Sequence, residues 1–239
     1  MKLRYSLFLF IGIVFTMNSQ NISGSELLEK AINYHDPSGN WPSFSGNFKV
    51  TMTTPNQSPR VSDINISLPT EFFSVTANRD GNTQTYTLDK TNCSLFYNTI
   101  KLDEAAAEEK KMTCERANMY KNYYTYLYGL PMKLKDKGTN INEKVERKTF
   151  KGKDYLVLKA TYDKAVGSDI WYFYFDPETY AMEVYQFYKT DDKGNVKPDS
   201  GEYILLTDEE TVNGIKMPKV RAWYYNKDNN YLGTDTLGN

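Results

Sequence analysis

The stretch that most restricts the fold of this chain is Trp171–Tyr188, in which two aromatic runs flank the turn sequence Asp176-Pro177-Glu178-Thr179. Pro177 suits the second position of a type I turn, and Asp176 can accept hydrogen bonds from the turn backbone. The pattern predicts a β-hairpin. Both faces are too aromatic to be fully solvated, so the hairpin should line the inside of a curved sheet and be partly covered outside.

Strict alternation along the two strands assigns each side chain to a face. If Pro177–Tyr180 forms the loop, Asp176 faces Ala181 and the pleat continues without a shift. One face then holds Trp171, Phe173, Phe175, Met182 and Val184. The other face holds Tyr172, Tyr174, Glu183, Tyr185 and Phe187. The first face is the candidate lining of an interior.

The rest of the chain adds strands with short turns between them, about ten in all counting the hairpin, and no alternation of strand and helix. The sequence therefore predicts a mainly β (α+β) fold with an antiparallel, curved sheet, in one domain spanning residues 21–239. Asp80-Gly81, Lys151-Gly152 and Asn213-Gly214 are signals for tight turns. Beside the hairpin, the predicted strands are Ser45–Thr53, Val61–Leu68, Glu71–Arg79, Thr83–Leu88, Cys93–Ile100, Lys144–Phe150, Tyr155–Tyr162, Glu202–Thr207 and Ile215–Tyr225.

Two helices are predicted, a short one at Ser25–His35 and one long one at Asp103–Tyr128. Asp103 is a suitable N-cap, and Gly129 followed by Pro131 is a typical helix end. The long helix carries an apolar stripe, which is more typical of a core contact than of a ligand surface. The stripe consists of Met112, Met119, Tyr120, Tyr123 and Leu127.

The N-terminus has the pattern of a secretory signal. Lys2 and Arg4 precede the apolar run Tyr5–Met17, which is too short to span a bilayer, and cleavage is expected near residues 19–20. No cysteine follows the run, so a lipoprotein is not expected. Since the exported chain should meet an oxidising compartment, Cys93 and Cys114 are predicted to form a disulfide.

Composition and motifs argue against several functional classes. A net charge of −1 does not favour a nucleic-acid surface. The chain lacks the common motifs for hydrolases, metalloproteases and nucleotide binding, and its one histidine, His35, is better explained by a place at a helix end. With one histidine and two paired cysteines, no metal or other cofactor is expected.

The combination resembles the LolA/LolB-like superfamily of bacterial envelope proteins, which carry lipoproteins through the periplasm. The resemblance is carried by the signal, the opening amphipathic helix and three motifs. These are the first strand Phe44-Ser45-Gly46-Asn47-Phe48-Lys49-Val50, the hairpin turn, and the segment Val212-Asn213-Gly214-Ile215-Lys216-Met217-Pro218. The chain is more similar to an uncharacterised envelope branch of this superfamily than to the true carriers.

The resemblance implies an incomplete antiparallel barrel wrapped over helices, with an apolar cavity between them for acyl chains. It also implies an arginine that locks the helical lid; no motif matches it here, and Arg60 and Arg79 are the candidates. The two cysteines and the 20 tyrosines depart from the family pattern.

These observations predict a monomeric, non-enzymatic periplasmic protein. Its expected ligand is a lipid or an acylated molecule, and membrane proteins of the envelope are its candidate partners. The alternatives are a structural or interaction protein with a filled aromatic core, and a hydrolase built on carboxylates. The expected cavity lies between the sheet and the long helix. Its predicted lining is Phe48, Tyr123, Leu127, Trp171, Phe173, Phe175, Met182, Val184 and Trp223.

Overall fold

The computed structural model describes residues 22–238, so the predicted signal segment lies outside the described residues. Fourteen strands form one antiparallel sheet that curves without closing. They are β1 Ser45–Thr54, β2 Gln57–Ser67, β3 Phe72–Arg79, β4 Asn82–Asp89, β5 Asn92–Tyr97, β6 Ile100–Lys101, β7 Thr139–Ile141, β8 Glu146–Phe150, β9 Lys153–Tyr162, β10 Ile170–Phe175, β11 Met182–Tyr188, β12 Glu202–Val212, β13 Ile215–Tyr225 and β14 Tyr231–Gly238.

The last strand joins the two halves of the sheet. β14 pairs with β1 on one side and β13 on the other, so that the order runs from β6 through β1, β14 and β13 to β7. The prediction of about ten strands was too low because it omitted β6, β7 and β14. β14 has few apolar residues and contains Gly233, so it lacks the alternation that marks a half-buried strand.

The central hairpin forms as predicted, but its faces differ from strict alternation. Tyr174 pairs with Val184 and Phe175 pairs with Met182, which leaves Glu183 as an extra residue in a β-bulge. Val184 therefore packs with Tyr174 on the outer face, and the placement of Val184 on the interior face was wrong. The same shift brings Tyr185 and Phe187 to the inner face, where they had not been expected.

The predicted long helix is two helices, α2 Glu104–Glu109 and α3 Cys114–Tyr128, following α1 Gly24–His35. The chain turns at Lys111, whose φ is 54°, and Thr113 caps α3 by accepting a hydrogen bond from Arg116. Asp103 caps α2 as predicted. The Ser23 side chain caps α1 in a capping box with Glu26, so the helix begins slightly before the predicted Ser25.

The disulfide prediction is confirmed, because Cys93 and Cys114 are bonded with a Cα–Cα distance of 6.0 Å. The bond ties the first residue of α3 to β5. At the other end α3 stops at Gly129, where a Cβ atom would lie 2.1 Å from the Trp41 ring, so close packing requires glycine here.

The core fills the space between α3 and the concave face of the sheet. Tyr124 and Tyr128 of α3 are fully buried and pack against Phe73 and Phe48. Met119, predicted to face the core, is 54% exposed. Outside the sheet a smaller cluster around Tyr155, Tyr174 and Val184 covers part of the convex face, as expected for a hairpin buried on both sides.

Candidate ligand-binding cleft

An open cleft of about 860 Å³ lies at the C-terminal half of α3. One wall is α3 together with residues 133–139, and another is the connection between β9 and β10, residues 165–169. The floor is the inner face at the ends of β10, β11, β12 and β13. A volume of about 300–1,000 Å³ is typical of sites for small molecules.

Aromatic rings form the floor and one side of the cleft. Trp171 and Phe187 lie opposite each other on β10 and β11, stacked with 4.8 Å between ring centroids. Tyr126 of α3 meets Trp171 edge-on at 5.8 Å, and Tyr123 lies parallel to Trp223 at 6.3 Å. All five rings are partly exposed, so they offer apolar surface that a ligand can cover.

Tyrosine hydroxyls provide the uncharged polar groups beside these rings. The hydroxyls of Tyr126 and Tyr162 are hydrogen-bonded to each other. Burial raises the pKa of Tyr162 to about 12 and raises the pKa of Tyr126 well above its ordinary value. Both hydroxyls therefore keep their protons at neutral pH; one proton is used in the bond between them, and the other can be donated to a ligand.

Two carboxylates line the cleft near the stacked pair. Glu202 of β12 is directly opposite Phe187, and Asp169 precedes Trp171 by two residues. Burial raises the pKa of both carboxyl groups above their ordinary values, and Lys189 lowers both by a smaller amount. At the opposite side of the cleft, Lys133 is paired with Asp136, and Lys137 is exposed.

A buried arginine fixes the end of α3 next to the cleft. The guanidinium group of Arg221 on β13 donates hydrogen bonds to the carbonyl oxygens of Pro218 at 2.8 Å and Leu127 at 3.4 Å. It also lies 3.9 Å from the centroid of the Tyr128 ring. The residue is fully buried. Sequence patterns missed Arg221, because nothing in the sequence distinguishes it from Lys216 and Lys219 in the same strand.

The two arginines proposed from the sequence contact other groups. Arg79 donates to Gln57 at 2.7 Å, and Arg60 lies over the ring of Tyr120 at 5.9 Å. Arg221 is the arginine that binds the backbone of α3. Beside it, the Tyr123 hydroxyl of α3 donates to the carboxylate of Asp235 on β14 at 3.1 Å.

His35 ties α1 to the sheet on the far side of the core. Its Nδ1 lies 2.7 Å from the Lys216 carbonyl oxygen, and its Nε2 accepts a hydrogen bond from the Met182 backbone at 3.0 Å. The imidazole is therefore neutral with the proton on Nδ1, and burial lowers its pKa below the ordinary value. His35 lies outside the cleft and has a structural place.

The structure brings together four of the nine side chains predicted to line a cavity, namely Tyr123, Leu127, Trp171 and Trp223. Phe48, Phe173, Phe175 and Met182 are buried in the core and do not line the cleft. Val184 is on the outer face. Tyr126, Tyr162, Phe187, Asp169 and Glu202 line the cleft but were not among the predicted residues.

The described part of the chain offers no evident metal site and no membrane-spanning helix. Among residues 22–238, no three His, Cys, Asp or Glu side chains lie close enough to hold a metal ion. In the same residues, none of the helices combines the length and the apolar character needed to cross a bilayer.

Comparisons with known proteins establish the fold and a family. Residues 2–239 match the profile of a family of unknown function, DUF6503. A LolA superfamily protein from Nitrosomonas europaea is similar in structure, with a TM-score of 0.52, 13% identity, and coverage of 91% of this chain and 92% of that chain. The fold is therefore LolA-like.

A second solved structure is less similar. It is a DUF1329 family protein from Desulfovibrio piger, with a TM-score of 0.47, 8% identity, and coverage of 90% of this chain and 91% of that chain. No curated protein matches the sequence.

Proposed function

The chain belongs to DUF6503, and since that family carries no known activity, we propose from the structure that the protein binds an acyl chain or a similar apolar ligand in the cleft beside α3. The observation that carries this proposal is the set of partly exposed rings around Trp171. Exposed aromatic surface that is concave and large enough for a ligand is typical of a binding site.

A role in carrying the ligand through the periplasm fits the remaining features. The N-terminal sequence has the pattern of an export signal, and the disulfide between Cys93 and Cys114 suits an oxidising compartment. Export, a lipid or lipoprotein cargo and a membrane partner are all parts of the proposal. In this view the protein delivers its ligand without chemically changing it.

The packed interior explains why the ligand would occupy only one end of the molecule. Tyr124 and Tyr128 fill the centre of the concave face, which is also what a structural protein with an aromatic core would show. A packed core alone does not explain the cleft. A protein with a purely structural core would be more stable if Trp171, Phe187 and Trp223 were fully covered.

Two carboxylates at the cleft are the observation that favours a hydrolase as the second candidate. Burial raises the pKa of Asp169 and Glu202, as expected for general acids and bases. An enzyme of this kind would turn over a panel of chromogenic esters and glycosides and lose that activity in Glu202→Gln. A binding protein would leave the panel unchanged.

Binding of a neutral fluorescent acyl ester tests the proposal directly. We expect micromolar affinity for the wild-type protein and a loss of at least about tenfold in Asn122→Trp, where an indole on the exposed α3 wall would fill the cleft. Asn118→Trp, one turn earlier on the same helix and outside the cleft, is the matched control and should bind normally.

Two results would contradict acyl binding. One is no detectable binding of the probe by the folded wild-type protein. The other is equal affinity in the Asn118 and Asn122 variants. Native mass spectrometry of protein isolated from its own cells adds an independent measurement, since a bound lipid should appear as a discrete mass above that of the chain.

A further inference from the structure

The charges around the aromatic floor indicate what the polar end of the ligand is. The carboxylate of Glu202 lies on the same face of the sheet as the stacked rings of Trp171 and Phe187, by its position in β12. Asp169, just before β10 and two residues before Trp171, lines the same cleft. In an antiparallel pair, directly opposite side chains have Cβ atoms about 4.5–5.5 Å apart. Glu202 thus adjoins Phe187, while Asp169 adjoins Trp171.

These carboxylates have no close partner in the part of the chain that the structure describes. Neither makes a hydrogen bond or ion pair with residues 22–238, although both are half-buried. Lys189 is exposed and does not line the cleft. It lowers the pKa of both carboxyl groups by less than burial raises it. A partly desolvated anion without a close counter-charge is stabilised by an incoming cation.

The neighbouring rings are suited to the same partner. The face of an indole or phenyl ring attracts a cation within about 6 Å of its centroid, most strongly for tryptophan. A carboxylate beside such a face adds a full negative charge to that attraction. On the opposite wall, Asp136 already pairs with Lys133, which leaves Lys137 as the lining cation that could attract an anion.

We infer that the ligand of the cleft is a cationic amphiphile, with a primary or quaternary ammonium group held by Asp169 and Glu202 against the rings of Trp171 and Phe187, and its chain along Tyr126 and Trp223. This inference rests on the proposed function, because it assigns a head group to the apolar ligand proposed above.

The test compares four ligands that separate the head group from the chain. They are dodecyltrimethylammonium, dodecanol, dodecanoate and tetramethylammonium, each used below the concentration that lowers the melting temperature. Quenching of tryptophan fluorescence reports occupancy, since two of the three tryptophans, Trp171 and Trp223, line the cleft and Trp41 is buried elsewhere. Isothermal titration calorimetry gives the affinity.

We expect dodecyltrimethylammonium to bind at least about tenfold more tightly than dodecanol, which is ~1.4 kcal/mol. The double variant Asp169→Asn/Glu202→Gln should lose that preference and keep its affinity for dodecanol. Glu178→Gln, in the exposed turn of the hairpin, removes a carboxylate elsewhere and should leave all affinities unchanged. Higher salt should weaken only the binding of the ammonium ligand to the wild type.

Every other result contradicts a different part of the inference or the proposed function. Equal binding of the three dodecyl ligands refutes the cationic head group and leaves acyl binding intact. Tightest binding of dodecanoate refutes it as well and assigns the head group to Lys137. If tetramethylammonium binds as tightly as the dodecyl compound, the site holds a small cation and the amphiphile is wrong. If no dodecyl ligand binds, the proposed function itself fails.

Discussion

Replacing Arg221 by methionine tests whether the buried guanidinium group holds α3 to the sheet. The substitution keeps most of the side-chain volume and removes the charge together with every donor. It leaves the carbonyl oxygens of Leu127 and Pro218 without these hydrogen bonds in a buried place. It also leaves Asp235, directly opposite on β14 and 4% exposed, without the nearest buried cation.

The expected loss of stability follows from these contacts. Each buried carbonyl that loses its donor costs about 1–3 kcal/mol. The contact with the Tyr128 ring adds about 1–2 kcal/mol for a desolvated cation. Since methionine recovers part of the packing, we expect a net loss of ~4 kcal/mol in the free energy of unfolding, within the range for removing one of two buried charges. For a chain of this length that lowers the melting temperature by about 8–16 °C.

Thermal and urea unfolding followed by circular dichroism measure the effect. Arg147→Met is the matched control, because Arg147 lies exposed on the short strand β8, and its variant should stay within about 0.5 kcal/mol of the wild type. The double variant Arg221→Met/Asp235→Asn should be more stable than Arg221→Met alone, since it removes the carboxylate that has lost its buried counter-charge. If Arg221→Met unfolds like Arg147→Met, the guanidinium group does not hold the helix.

Two further predictions concern the other ties between helices and sheet. The pKa of His35 is lowered in the folded protein, so its stabilising contribution is present above the ordinary value of 6.5 and is lost as the pH falls. The wild type should therefore lose stability relative to His35→Gln between pH 7 and 5 in urea titrations, and parallel curves would rule this out. Cys93→Ala/Cys114→Ala, which opens a loop with a sequence separation of 21, should lower the free energy of unfolding by roughly 3 kcal/mol. Adding a reducing agent should then affect only the wild type, and an equal effect on both proteins would contradict the role of the disulfide.

The parts of the fold that were predictable depend on local chemistry. Asp80-Gly81, Lys151-Gly152 and Asn213-Gly214 all form tight turns with both φ angles positive, which is why such pairs mark hairpins reliably. The strand Ile215–Tyr225, which begins directly after the Asn213-Gly214 turn, was predicted to the residue. The disulfide followed from the export signal and the even number of cysteines.

The parts that were missed depend on contacts far apart in sequence. β14 is a strand because β1 and β13 supply backbone partners on both sides, and its own side chains carry little information. The break at Lys111–Thr113 lies within a run of good helix formers. The disulfide fixes the first turn of α3 beside β5, and Met112 is buried in the core at the break. Tertiary contacts therefore determine where the helix is interrupted.

One extra residue in the hairpin decides the composition of the cleft. Without the bulge at Glu183, strict alternation would put Val184 on the inner face, and Tyr185 and Phe187 outside. With it, Phe187 stacks on Trp171 and adjoins Glu202, and Tyr185 fills the space between Trp171 and Trp223. The aromatic floor and its neighbouring carboxylate therefore both depend on a shift in register of one residue. Because the pleat has a period of two, no count of apolar residues along the sequence reveals such a shift, and the candidate site could be only partly predicted.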